Sequence, residues 1–131
     1  MSMIDRILID QLSVEARIGA FDWEKQIRQQ ILVSLELHAD LQPAADTDRL
    51  DQAIDYAEVC DRVRQLVVAN HYDLLECLAL TLLRALFAGH SALERIVIRI
   101  DKPGAVAGAL SVAVRMDRTR EEMDPIGSGC S

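Results

Sequence analysis

Residues 3–21, "MIDRILIDQLSVEARIGAF", alternate apolar with polar positions and are rich in Ile and Val. This period of two predicts a strand from about Ile4, kinked near Leu12 and ending by Gly19. After a loop, "QILVSLELHADL" sets Ile31, Val33, Leu35 and Leu37 on one face and Ser34, Glu36 and His38 on the other. That is the mark of a half-buried antiparallel strand, and the two strands are expected to form a hairpin.

The period then changes. Residues 42–53, "QPAADTDRLDQA", show no periodicity and read as a connection. Asp55 and Glu58 make a D-x-x-E capping pattern ahead of Val59, Val63, Leu66 and Val67, which predicts an amphipathic helix to about Asn70. Asp73 and Glu76 repeat the pattern before a second helix, about Leu74 to Ala88, ended by Gly89. This helix is apolar almost all round, so it needs cover on more than one side. Alternation returns in "LERIVIRID" and "LSVAVRMD", a second hairpin with Ile96, Ile98 and Ile100 facing the same way as Leu110, Val112, Val114 and Met116.

The predicted class is α+β: a four-stranded antiparallel sheet with two helices on one face, in the order β-β-α-α-β-β. The opposite face carries Glu36, Arg99, Asp101, Arg115 and Asp117, too polar for a second core. Such a sheet has two open edges. Pairing with other subunits into a ring, with the polar face lining a central tunnel, would close them. Residues 1–118 read as one domain, and residues 119–131 as a polar, disordered tail.

Composition narrows the partners. A chain of 131 residues is the length of one ordinary domain. Its net charge of -7 leaves no basic patch for nucleic acid or an anionic membrane. Cys60, Cys77 and Cys130 are too few and too scattered for a disulfide framework, which suggests a reduced, cytoplasmic chain. Asp5 and Asp10 do not suit a signal peptide, and the run "LLECLALTLLRALFAG" is broken by Glu76 and Arg84 and too short to span a bilayer.

No metal site is expected, because His38, His71 and His90 fall in different elements without zinc-type spacing and "DTDRLD" lacks the glycine of a calcium loop. There is no Gly-rich phosphate loop and no G-x-S-x-G. What remains is a set of polar groups at element ends. Phe21 and Trp23 lie beside Glu24 in "GAFDWEKQ", where the ordinary reading is a hairpin loop using its aromatics as a hydrophobic clasp. Glu76 could simply complete a capping box with Asp73, and Tyr56 could pack over a helix start. Lys102 resists the ordinary reading. It and Lys25 are the chain's two lysines, and the other basic residues in the count of 14 are arginines. A lysine proton can be moved near neutral pH, whereas an arginine proton cannot. Pro103 and Gly104 follow Lys102 and would fix a turn that a ligand can approach closely.

In order and spacing, "IGAFDWEKQIRQ", "IDYAEV", "HYDLLECLA" and "IDKPGAV" resemble the dihydroneopterin aldolase family, the similarity running over about residues 3–118. The resemblance implies the tunnelling fold, four subunits joined into a barrel and two such rings stacked in an octamer, with no cofactor. It implies that Glu76, assisted by the backbone at Leu75, grips the amino-pyrimidine edge of a pterin. Tyr56, from the neighbouring subunit, would cover the ring and join in proton transfer. Glu24 would be a second acidic contact and Lys102 the catalytic proton donor and acceptor. Phe21 stands where the family often has tyrosine or histidine, and Cys77 where larger polar residues are common. Two other readings share the residues: dihydroneopterin triphosphate epimerase, and a ring-forming pterin-binding protein without turnover.

Overall fold

The computed structural model describes residues 5–123. Strands β1 (Arg6–Ala16), β2 (Gln29–His38), β3 (Arg95–Pro103) and β4 (Ser111–Thr119) form one antiparallel sheet in the order β1-β2-β3-β4. Between β2 and β3 run the helices α1 (Gln42–Thr47), α2 (Tyr56–Ala69) and α3 (Leu75–Gly89), and a short α4 (Arg120–Met123) follows β4. The α+β arrangement read from the pattern is therefore present, with α2 packed on β1 and α3 on β3 and β4.

The core lies between the sheet and the two long helices. Ile31, Val33, Leu35 and Leu37 of β2 and Ile96, Ile98 and Ile100 of β3 are buried against Val59, Val63 and Val67 of α2 and Leu78, Leu82, Leu83 and Leu86 of α3. The strand period of two thus meets the helix period of three to four across one apolar layer.

The predicted kink in β1 is a bulge. Pairing shifts between Ile9, opposite Leu35, and Leu12, opposite Val33, with Gln11 at φ 52° and its N–H donating to Ser34 Oγ at 3.0 Å. The sequence carries this directly: the apolar phase runs through Ile7 and Ile9, skips, and resumes at Leu12 and Val14. One extra residue keeps both halves facing the core.

Helix α2 begins as predicted, with Asp55 Oδ1 accepting from the Glu58 N–H at 3.2 Å. Helix α3 does not. Its N-cap is Leu74, without a side-chain cap bond, so Glu76 is its second residue and the expected Asp73–Glu76 capping box is absent. The cause lies in the preceding segment, which is held extended against the loop after β1. Tyr72 N donates to Arg17 O at 3.1 Å and Gly19 N to Tyr72 O at 2.9 Å, while Asp73 turns to His71.

Other expectations also need correction. Residues 42–53, read as a connection, contain helix α1, with Pro43 in its first turn, and a 3-10 turn over Leu50–Gln52. The start of the supposed tail is structured: α4 follows β4 directly, and the Arg120 guanidinium donates to the carbonyls of Leu93 and His90 and lies 5.2 Å from the Phe87 ring. The remainder, from residue 124, lies outside the described residues. Leu110 is 95% exposed and precedes β4 instead of starting it.

The face away from the helices is polar in register. Glu36, Val97 and Asp117 form one row across the sheet and Ser34, Arg99 and Arg115 the next. Ion pairs knit it: Arg6 with Glu36 at 3.2 Å, Arg95 with Asp117, and Arg99 with Asp101 at 2.8 Å. Among the described residues β1 and β4 each have one neighbouring strand, which leaves two edges of the sheet unpaired there.

Candidate active site

Glu24 and Lys102, 78 residues apart, meet at one end of the sheet. The chain leaves β1, makes a 3-10 turn over Asp22–Gln26 and enters β2, and this turn points the Glu24 side chain inward. Lys102 extends from the end of β3, and its Nζ lies 2.6 Å from Glu24 Oε2. Both side chains are largely withdrawn from water, at 7% exposure for Glu24 and 13% for Lys102. A charged pair so placed needs further hydrogen bonds to offset its lost hydration.

Those bonds are present. Gln29 Nε2 donates to Glu24 Oε2 at 3.3 Å and to Ile18 O at 2.8 Å, and the Phe21 N–H donates to Glu24 Oε1 at 3.4 Å. The Lys102 bond, aided by those from Gln29 and Phe21, holds the Glu24 carboxyl below the usual carboxylate range against the opposing effect of burial. Gly19 makes room for it. At φ 131° glycine is the residue that fits, and a Cβ there would fall 2.1 Å from Glu24 Cδ.

Next to Lys102, Asp101 is held ionised chiefly by Arg99, and it accepts from Ser111 Oγ at 3.1 Å. The Asp101–Ser111 bond closes the base of the 103–110 turn, in which Gly104 takes φ 71°. Pro103 and Gly104 therefore do shape the chain directly after Lys102, as their order in the sequence suggested.

The bridge between Ile18 and Tyr72 joins this corner to the start of α3. His71 Nε2 lies 2.9 Å from Gly19 O, and Tyr72, buried, donates its hydroxyl to Leu66 O at 3.0 Å. Beside them is a cavity of about 630 Å³ whose walls include His71, Tyr72, Asp73, Leu74, Cys77 and Thr81. Glu76, one turn along from Asp73, is exposed and unspent on any cap. Leu75, the residue before it, is buried at 8% exposure. Gly19, His71 and Gln29 were not singled out by sequence. Only Gly19 left a trace there, as a glycine closing an alternating run.

Tyr56 is not brought to this corner. It is 61% exposed and lines a second cavity of about 540 Å³ with Ile7, Leu41, Ile54 and Glu94. Ile7 pairs with Leu37 and Glu94 precedes Arg95, so this cavity sits at the other end of the strands. From Arg95 to Lys102 the strand climbs roughly 23 Å at about 3.3 Å per residue. Phe21 and Trp23 do not clasp the loop either, being 66% and 59% exposed. The 3-10 turn that buries Glu24 sends its neighbours outward. Of the cysteines expected to be reduced, Cys60 is a free thiol, but Cys77, half-buried on the cavity wall, is disulfide-bonded. Cys130 lies outside the described residues. No group of three or more His, Cys, Asp or Glu able to hold a metal is found among the described residues, and none of their helices is long and apolar enough to cross a membrane.

Known proteins share both the chain and its shape. A dihydroneopterin aldolase from Haemophilus influenzae is 36% identical over 88% of this chain and 97% of its own length. One from Methylorubrum extorquens is 30% identical over 96% of this chain and 97% of its own. The crystal structure of the Escherichia coli dihydroneopterin aldolase in complex with neopterin superposes with a TM-score of 0.84, at 33% identity, covering 88% of this chain and 99% of that one. Fold and relatives together define an aldolase, a carbon–carbon lyase. The chain belongs to the dihydroneopterin aldolase family, whose family model matches residues 7–117.

Proposed function

We propose that the chain cleaves the C1'–C2' bond of 7,8-dihydroneopterin, giving 6-hydroxymethyl-7,8-dihydropterin and glycolaldehyde for folate biosynthesis in the cytoplasm. The observation that carries this reading is the buried Glu24–Lys102 pair, joined through the Ile18–Tyr72 bridge to the start of α3. Glu76 is the group that receives the pterin's two parallel N–H donors, with the Leu75 backbone beside it. A carboxylate rooted in the first turn of a helix suits that flat, forked partner.

The chemistry is modest in what it asks of the protein. The 2'-hydroxyl loses its proton, the C1'–C2' electron pair flows into the ring's own N5=C6 imine, and C2' leaves as the aldehyde carbon of glycolaldehyde. C1' then takes a proton, and the hydroxymethyl product forms. Because the substrate carries its own electron sink, the reaction needs neither a Schiff base nor a metal. It needs a group that exchanges protons, directly or through water, and Lys102 with Glu24 as its counter-charge is that group. Re-addition of glycolaldehyde to the other face inverts C2', giving an epimerase side activity from the same residues.

Tyr56 can join this site only from another subunit, since its own chain holds it at the far end of the strands. The two unpaired edges and the exposure of Leu8, Tyr56 and Leu110 support assembly into a tetrameric ring or an octamer. Light scattering is expected to give four or eight subunits at micromolar concentration, and a stable monomer would sink the shared-site reading. Single-turnover incubation with dihydroneopterin tests the reaction itself. Free glycolaldehyde is expected; pterin binding without it would favour a ring that binds and does not catalyse, and epimerised substrate alone would favour the epimerase.

A further inference from the structure

Gln29 is a polar side chain at this corner to which the reaction assigns no step, and it bonds directly to Glu24. Its carboxamide nitrogen contacts two oxygens, Ile18 O at 2.8 Å and Glu24 Oε2 at 3.3 Å. Both are acceptors, so the amide must present its nitrogen to them, and both of its N–H groups are used. Asparagine would fall one carbon short, and glutamate would offer acceptors where donors are required.

The two acceptors belong to different parts of the machinery. Ile18 lies in the segment bridged to Tyr72, hence to the start of α3. Glu24 Oε2 is the same oxygen that receives the Lys102 ammonium. A carboxylate on a flexible two-carbon stem could otherwise swing, and every swing would move the Lys102 nitrogen with it. Gln29 is itself anchored in β2, where it pairs with Ala16.

We propose that Gln29 is a positioning residue for proton transfer: by holding Ile18 and Glu24 at once, it keeps the carboxylate aimed so that the Lys102 ammonium stays in one place. The inference rests on the reading of Lys102 as the proton-transferring group. It assigns Gln29 no contact with substrate. Its loss should therefore lower kcat while leaving pterin binding at Glu76 nearly intact, because a small misplacement of a proton donor is felt in the chemical step. The same bond helps keep Glu24 ionised, which supports the geometry.

The chain's two lysines make the test direct, since side-chain lysine labelling yields two NMR signals and Lys102→Arg identifies them. Lys25 is exposed and serves as the reference. In Gln29→Leu the Lys102 signal should move toward that of Lys25, and kcat should fall by about tenfold or more with pterin affinity within about threefold. Gln30→Leu, which removes an equivalent carboxamide bond to Ser13 Oγ on the exposed side, should change neither. An unmoved Lys102 signal, or equal losses in kcat and affinity, would overturn the inference. Gln29→Glu, of the same shape, carries the same readouts if the leucine variant does not fold, and failure of both to fold would make Gln29 a structural residue only. If the unaltered protein released no glycolaldehyde, the aldolase reading would fall, while the Lys102 signal would still decide the role of Gln29.

Discussion

Replacing Lys102 by arginine should lower kcat by roughly 10² to 10⁴ while changing pterin affinity far less. The guanidinium keeps the positive charge and can still pair with Glu24, whose Oε2 lies 2.6 Å from the native ammonium. Stability should therefore be close to native. What arginine cannot do is release and retake a proton near neutral pH. A purely electrostatic role predicts that Lys102→Arg restores most of the activity and Lys102→Ala none. A Schiff-base role predicts a borohydride-trapped adduct at Lys102. Substantial turnover in the arginine variant, or a trapped adduct, would show that this lysine has been given the wrong task.

Glu76→Gln should weaken pterin binding by about 2 to 4 kcal/mol, because an amide places an N–H opposite the ligand's own donors and removes a charge-assisted pair. The structure sharpens the comparison that decides it. Glu76 is the second residue of α3 and takes part in no capping box. Its only structural credit is a negative charge at a helix N-terminus, worth about 0.3–1 kcal/mol. Thermal melting of Glu76→Gln should thus shift by a few degrees at most while affinity collapses. Unchanged affinity in a titration with neopterin would remove Glu76 from the binding site.

The fold was legible wherever a single periodicity ruled. Ile31 to Leu37 and Ile96 to Ile100 announced their buried faces, and the slip in phase from Ile9 to Leu12 marked the bulge because sheet geometry gives each side chain a fixed side. The cap at Asp55 was legible for a similar reason: it needs only residues three apart. The equivalent reading at Asp73 failed because the bonds between Tyr72 and the Arg17–Gly19 segment outweigh a local cap, and nothing near residue 73 reveals a partner 54 residues earlier. Lys102 stood out by its chemistry in a chain whose basic residues, Lys25 apart, are otherwise arginines, but its union with Glu24 required the whole sheet. Gln29 left no mark, since a glutamine at the start of a strand is unremarkable until its two acceptors are seen. The clasp expected of Phe21 and Trp23 went the other way: burying Glu24 in so short a turn sends the aromatics that precede it outward.

The span between Glu24 and Lys102 has a kinetic consequence. Their bond closes a loop of 78 residues, and the Ile18–Tyr72 bridge, whose loop overlaps it, closes one of 54, so both depend on long-range closure rather than on local collapse. A nascent chain with the first hairpin complete has Glu24 in its turn but nothing to meet it. With both helices docked, the glycine loop can be in place while the ammonium is still missing. Only when β3 enters beside β2 does the acid acquire its partner, so a piece of the chain that stops short of β3 cannot form the Glu24–Lys102 pair on which the proposed proton transfer rests.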